Sequence, residues 1–190
     1  MAEIKGERMD GAKNSSGPGS SVGWVVELHS ALKGQGIRKV CHVPDGGNAQ
    51  LINLCNSDPE MIVVTLTTEQ EGIALACGAW LGGERSAVLL QSSGVGNCIN
   101  TLSMVRTCSF PLLAVVSMRG EYGEFMPWQI PMGQAAAEVL RAMGVIVNRV
   151  DESTHVHASA IAAAKLAFDS SVAVALLLGQ RLIGTKRFVQ

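Results

Sequence analysis

Two spacings of apolar residues alternate along the chain. In VGWVVELHSALKGQG (22–36) they recur every three to four positions and stop at a glycine, which predicts an amphipathic helix. IRKVCHVP (37–44) is short and β-branched and stops at Pro44, as a strand does. GNAQLINLC (47–55) predicts a short helix, EMIVVTL (60–66) a strand, and a further helix opens at Glu69. SAVLLQ (86–91) predicts a strand, CINTLSMVRTC (98–108) a helix, and PLLAVVSM (111–118) a strand. A loop rich in Gly, Pro and aromatics runs to about Met132. GQAAAEVLRAMG (133–144), VIVNRV (145–150), STHVHASAIAAAKLAFDSS (153–171) and SVAVALLLG (171–179) then read as helix, strand, helix and strand.

About six strands separated by helices, each strand a nearly continuous apolar run, predict a mainly parallel sheet covered on both faces. The expected fold is therefore α/β and doubly wound, with right-handed crossovers. Ligands in such folds sit at the carboxyl ends of the strands. Those ends carry Pro44-Asp45-Gly46-Gly47-Asn48, Thr67-Thr68-Glu69, Ser92 to Asn97, and Arg119-Gly120-Glu121. All four are polar or Gly-rich and are expected to converge on one edge.

Composition narrows the class. Of 190 residues, 47% are hydrophobic and only 16% charged, below the usual quarter. One domain this poor in charge is expected to cover apolar surface with a partner chain. The net charge of −1 and the lack of a Lys/Arg cluster argue against nucleic acid. No apolar run approaches the roughly 20 residues that span a bilayer. Residues 1–20 read as a flexible polar leader without a hydrophobic h-region, and 21–190 as the domain. Cys41, Cys55, Cys77, Cys98 and Cys108 form no CxxC pair. They suggest reduced apolar side chains, no metal site and a cytoplasmic protein.

Two acids stand at the start of a helix built of small residues, Glu69 and Glu71 in TTEQEGIALACGAW (67–80). Acids in a first turn ordinarily complement the helix dipole. A carboxyl beside Gly72, Ala74, Ala76, Gly78 and Ala79 can also lie close to a flat ligand and share a proton with a ring nitrogen. SSGVGN (92–97) reads as a Gly-rich strand-to-helix turn or a phosphate cradle, although neither a P-loop nor GxGxxG is present. Asp45 suits a turn, and His42 on a strand reads as packed rather than catalytic. His155 and His157 read as surface residues. Arg119 either pairs with a neighbouring acid or clamps an anionic substrate. The loop GEYGEFMPWQIPMG (120–133), with Gln129, reads as a lid or an interface element.

The segment Glu69 to Trp80 resembles the pyrimidine-binding domain of thiamine diphosphate-dependent decarboxylases. In that family a glutamate lies nine residues before a Gly with a small-residue helix between, the spacing of Glu69 and Gly78 but not of Glu71. SAVLLQSSGVGN is similar to the family's strand and Gly-rich loop. SMRGEYGEFMPWQIPMGQAAAEVLRAMGV resembles the two-subunit branch acting on sulfopyruvate or phosphonopyruvate. The resemblance covers about residues 22–182.

The resemblance implies that Glu69 hydrogen-bonds N1′ of the cofactor's aminopyrimidine and exchanges a proton with it, the cofactor then serving as electron sink for loss of CO2 from a 2-oxo acid. It implies that Ser93, Gly94 and Gly96 pack near the pyrimidine, and that Asp45 matches an acid some members use for proton handling. Arg119 and Gln129 are the candidates for the substrate's second anionic group. The family holds the diphosphate and Mg2+ with Gly-Asp-Gly and a later Asn pair, both absent from this sequence. The implied protein is therefore an α subunit that also self-associates. Its β partner would supply the metal site. The implied substrate is sulfopyruvate ahead of phosphonopyruvate, and a non-catalytic cofactor-binding or regulatory module of the same fold is the other reading.

Overall fold

A computed structural model describes residues 23–185, and the expected leader lies outside them. Helix α1 (Gly23–Gly34), strand β1 (Ile37–His42), α2 (Ala49–Ser57) and β2 (Ile62–Thr65) open the domain. They are followed by α3 (Glu69–Leu81), β3 (Arg85–Gln91), α4 (Ser92–Thr107) and β4 (Leu112–Ser117). The chain continues with α5 (Ile130–Ala142), β5 (Ile146–Val150), α6 (Val156–Ser170), β6 (Ala173–Leu178) and a short α7 (Gln180–Ile183). The six strands form one sheet in the order β2-β1-β3-β4-β6-β5, and every pairing is parallel. The α/β doubly wound reading holds.

Alternation along the strands builds two cores. Val40, Leu89, Val115 and Leu176 face Trp24 and Leu28 of α1, Leu51 of α2, and Ala163 and Phe168 of α6. Their neighbours Cys41, Val88, Leu90, Ala114, Val116 and Leu177 face Ile73 of α3, Val95 and Leu102 of α4, and Ala136 and Leu140 of α5. The continuous apolar runs in the sequence thus reflect burial on both faces. Gly72 sets the α3 layer close to the sheet: a Cβ there would lie 2.8 Å from Leu66 Cδ1 and Val88 Cγ1.

Chain direction across the sheet reverses between β1 and β3. From β1 the chain moves outward to β2, and from β3 it moves the other way to β4. A crevice opens at the carboxyl ends of the strands where such a reversal occurs. The ends of β1 and β3 meet there, with Asp45 three residues past β1 and Gln91 closing β3.

One local expectation fails. SSGVGN is no loop: α4 begins at Ser92, and Gln91 before it is extended. Gly, Ser and Asn have poor helix propensity, so the sequence hides a first turn that tertiary contacts dictate. Ser92 Oγ accepts the Arg119 N–H at 3.0 Å, tying the turn to the end of β4. Helix α5 likewise starts three residues before Gly133, with Pro131 in its first turn.

Candidate active site

The two glutamates of α3 have different partners. Glu71 folds back over its own helix start. The N–H and hydroxyl of Thr67 donate to it at 2.9 and 2.7 Å, and these bonds hold its carboxyl below the ordinary range. It serves the N-terminus of α3, the ordinary role for an acid in that place. Glu69 instead reaches sideways to α4, where Asn97 Nδ2 donates to its Oε2 at 2.8 Å. Oε1 accepts no hydrogen bond among the described residues. The carboxyl is half-buried, lying over the backbone of Gly94.

That placement needs Gly94. A Cβ on residue 94 would stand 2.6 Å from Glu69 Cδ and Cγ and closer still to Oε1. Gly94→Ala should displace the flexible Glu69 side chain from Asn97 and lower activity of the assembled enzyme, while stability in urea stays within about 1 kcal/mol because Ala favours the helix over Gly. Gly96→Ala is the control, because a Cβ there meets only the flexible Met132 side chain at 3.4 Å.

Asp45 is the second centre. Its Oδ1 accepts the Gly47 N–H at 3.1 Å and Gln91 Nε2 at 2.8 Å. Oδ2 accepts the Asn48 N–H and Asn48 Nδ2 at 3.1 Å each, and the Ser117 hydroxyl at 2.5 Å. Ser93 in turn donates to Gln91 Oε1 at 2.7 Å, which fixes the Gln91 amide with its NH2 toward Asp45. One carboxylate therefore ties together the ends of β1, β3 and β4. Gly47 makes room for it, since a Cβ there would meet Ser117 Cβ at 2.7 Å. A shallow groove of about 350 Å3 runs from Asp45 along α2, lined by His42, Pro44, Ala49, Ile52 and Asn53.

Arg119 and Gln129 also reach this edge. The Arg119 guanidinium is 7% exposed and pairs through Nε and Nη2 with Glu124 at 2.7 and 2.6 Å, leaving Nη1 outside the fork. The sequence reading had allowed such pairing with a neighbouring acid. Glu124 also accepts the N–H groups of Gly120 and Met126 and the Gln180 amide. Arg119 chiefly, with these donors, lowers its carboxyl from 4.5 to about 2. An acid depressed in the folded state stabilises fully above its unfolded value, and that stability is lost as pH falls. The contribution should therefore fade between about pH 4.5 and 2. Glu124→Gln should remove this acid-limb dependence and cost about 3–5 kcal/mol by stranding a buried guanidinium, both read by urea titration across pH. Gln129 is buried in a 3-10 turn (Pro127–Gln129), and its Oε1 has no partner among the described residues. Thr68 Oγ1, Asn48 Oδ1 and His42 Nδ1 are likewise buried and without hydrogen-bond partners.

Several site residues escaped sequence reasoning. Asn48 sits in an Asp-x-x-Asn turn, where its bond to Asp45 was readable. Asn97, Gln91, Ser117, Glu124 and Gln180 gave no local signal, because each acts across elements. Other features lie elsewhere. A cleft of about 610 Å3 opens at the opposite, amino-terminal edge between Gly36, Arg38 and Arg85, away from the polar strand ends. Cys41 and Cys98 are pushed up to about 12 and Cys55 to about 11 by burial, so they behave as small hydrophobes. Among the described residues no group of His, Cys, Asp or Glu could hold a metal ion, and no helix is long and apolar enough to cross a membrane.

Residues 27–129, from α1 through the ends of β1, β3 and β4, match the family model of the thiamine pyrophosphate enzyme N-terminal TPP binding domain. The chain belongs to this family. It is 32% identical over 152 residues to sulfopyruvate decarboxylase subunit alpha of Methanothermobacter thermautotrophicus, covering 80% of this chain and 92% of that one. It is 33% identical over 143 residues to phosphonopyruvate decarboxylase of Streptomyces viridochromogenes, covering 74% of this chain but 36% of that one. A solved 2-oxoglutarate:ferredoxin oxidoreductase from Magnetococcus marinus shares the fold, with a TM-score of 0.65 at 17% identity. The match covers 85% of this chain and 29% of that one.

A heteroaromatic ring with a basic nitrogen fits the Glu69 site. Oε1 has no hydrogen-bond partner among the described residues and can share a proton with such a nitrogen, Asn97 holds the other oxygen, and Gly94 offers only backbone beneath the carboxyl.

Proposed function

We propose that this chain is the α subunit of a thiamine diphosphate-dependent 2-oxo acid decarboxylase, converting sulfopyruvate to sulfoacetaldehyde and CO2. The observation that carries it is Glu69, laid over Gly94 with one oxygen held by Asn97 and the other open. Thiamine diphosphate, when bound, supplies the electron sink for CO2 loss. Glu69 Oε1 holds and returns a proton at the ring nitrogen facing it. Ser93, Gly94 and Gly96 border the ring.

Asp45 positions the strand ends: five donors from the ends of β1, β3 and β4 converge on its two oxygens. Gln129 and the Nη1 edge of Arg119 are the groups offered to the substrate's sulfonate. Glu124 takes the side-on edge of the Arg119 guanidinium through Nε and Nη2, so an anion would meet the end-on edge formed by Nη1 and the second Nη2 hydrogen. Mg2+ and the diphosphate belong to a β chain with Gly-Asp-Gly and a downstream Asn pair, and the reaction takes place in the cytoplasm.

Phosphonopyruvate is the second reading, favoured by the similarity to the Streptomyces enzyme. The test mixes the purified chain with its β partner, thiamine diphosphate and Mg2+, and follows CO2 from each 2-oxo acid. Release from sulfopyruvate at the higher kcat/KM supports the proposal. Release from phosphonopyruvate alone selects the second reading. Silence on both leaves a non-catalytic module.

A further inference from the structure

The loop between β4 and α5 presents aromatic side chains that the site does not use. Tyr122 is 51% exposed, Phe125 38% and Trp128 64%, within seven residues of a chain that holds only eight aromatics. Long irregular loops are usually mobile, but this one is clamped from inside. Glu124 accepts from Arg119 Nε and Nη2, Gly120 N, Met126 N and Gln180 Nε2. Gln180, 2% exposed at the start of α7, accepts the N–H groups of Glu121 and Tyr122 at 2.9 Å each. Glu121 pairs with Arg149 at the end of β5. Gly120 (φ +76°) turns the chain where a Cβ would strike the backbone of Ile130 at 2.7 Å. Glu124 thus points inward to the buried Arg119 while the rings remain exposed. Arg181 lies over Tyr122 at 4.6 Å and Arg119 over Phe125 at 5.7 Å.

This shelf lies near the candidate active site through packed neighbours. Glu69 lies against Gly94, Gly96 two residues on faces the Met132 side chain of α5, and Trp128 stands four residues before Met132. A chain that covers Glu69 therefore comes close to the shelf. The match to the single-chain Streptomyces relative spans 36% of its length, so under the reading above the remaining functions reside on a second polypeptide.

We propose that the Tyr122–Trp128 shelf is the docking surface for that β subunit, with Trp128 as its anchor. The inference rests on the α-subunit reading. Rigid, exposed Trp and Tyr beside Arg are the side chains that dominate association energies. A loop already held in shape loses little freedom on binding.

Trp128 also supplies the test. Trp24 is buried and Trp80 half-buried, so Trp128 is the exposed one of the three tryptophans. Adding the β chain should shift the emission of the wild-type chain to the blue and leave that of Trp128→Phe unmoved. Calorimetric titration with the β chain should show Trp128→Ala weakened at least tenfold and Trp128→Phe less than threefold. Tyr122→Ala is a second variant on the same loop and should also weaken binding. Equal affinity for wild type and both alanine variants overturns the shelf and leaves the decarboxylase reading standing. A tight, Trp128-dependent complex that releases no CO2 from either acid supports the shelf and overturns the decarboxylase reading. An emission shift produced by concentrating this chain alone would make the occupant a second copy and overturn the proposal.

Discussion

Glu69→Gln should lower CO2 release by the assembled enzyme by roughly 10²–10⁴-fold, the range for loss of a positioned proton-transfer group. Its stability in urea should stay within about 0.5 kcal/mol of wild type, as for a half-exposed isosteric change. The amide keeps the length and shape of the side chain, and its carbonyl can still accept from Asn97 Nδ2, now 2.8 Å from Oε2. What it loses is the ability to take up and return a proton at the other atom. Glu71→Gln is the contrasting variant. Its carboxyl accepts the N–H and hydroxyl of Thr67 at its own helix start. It should lose a little stability through a weaker cap and keep its turnover. A Glu69→Gln enzyme with more than a tenth of wild-type activity would show that this carboxyl is not the proton-exchanging group.

The contrast between the two glutamates marks what the sequence could disclose. Strand and helix order was readable because each element follows its own period, and burial on both faces writes itself into continuous apolar runs. The convergence of polar strand ends followed from the parallel topology. Spacing to Gly78 separated Glu69 from Glu71 only through resemblance, since both are first-turn acids to any local rule. The first turn of α4 was unreadable, because Ser92 to Asn97 become helical through contacts with Arg119 and Glu69 rather than by propensity. The same holds for Gln91, Ser117 and Gln180. Each is an ordinary polar residue until the fold sets it against a carboxylate 46, 72 or 56 positions away.

Asp45 carries the second large effect. In Asp45→Asn the side chain must turn its NH2 toward one set of donors, either Gly47 N and Gln91 Nε2 or Asn48 N, Asn48 Nδ2 and the Ser117 hydroxyl. Each charge-assisted bond contributes about 1.5–3 kcal/mol. Gln91 and Ser117 can rotate to soften the conflict, whereas backbone N–H groups cannot. The expected loss is about 2–4 kcal/mol in urea denaturation, together with a fall in kcat as the ends of β1, β3 and β4 loosen around the site. This alone would not separate a positioning anion from a proton carrier, but the transposed pair would. In Asp45→Asn/Gln91→Glu the new carboxylate at 91 can accept from Ser93 and from the amide NH2 at 45, while the amide oxygen at 45 keeps the other set of donors and only the Gly47 N–H loses its acceptor. A positioning role requires the double variant to recover most of both stability and kcat, with the pH profile of kcat unchanged. Recovery of stability without turnover would mean that the proton on residue 45 itself matters, and Asp45 would then join Glu69 as a catalytic acid.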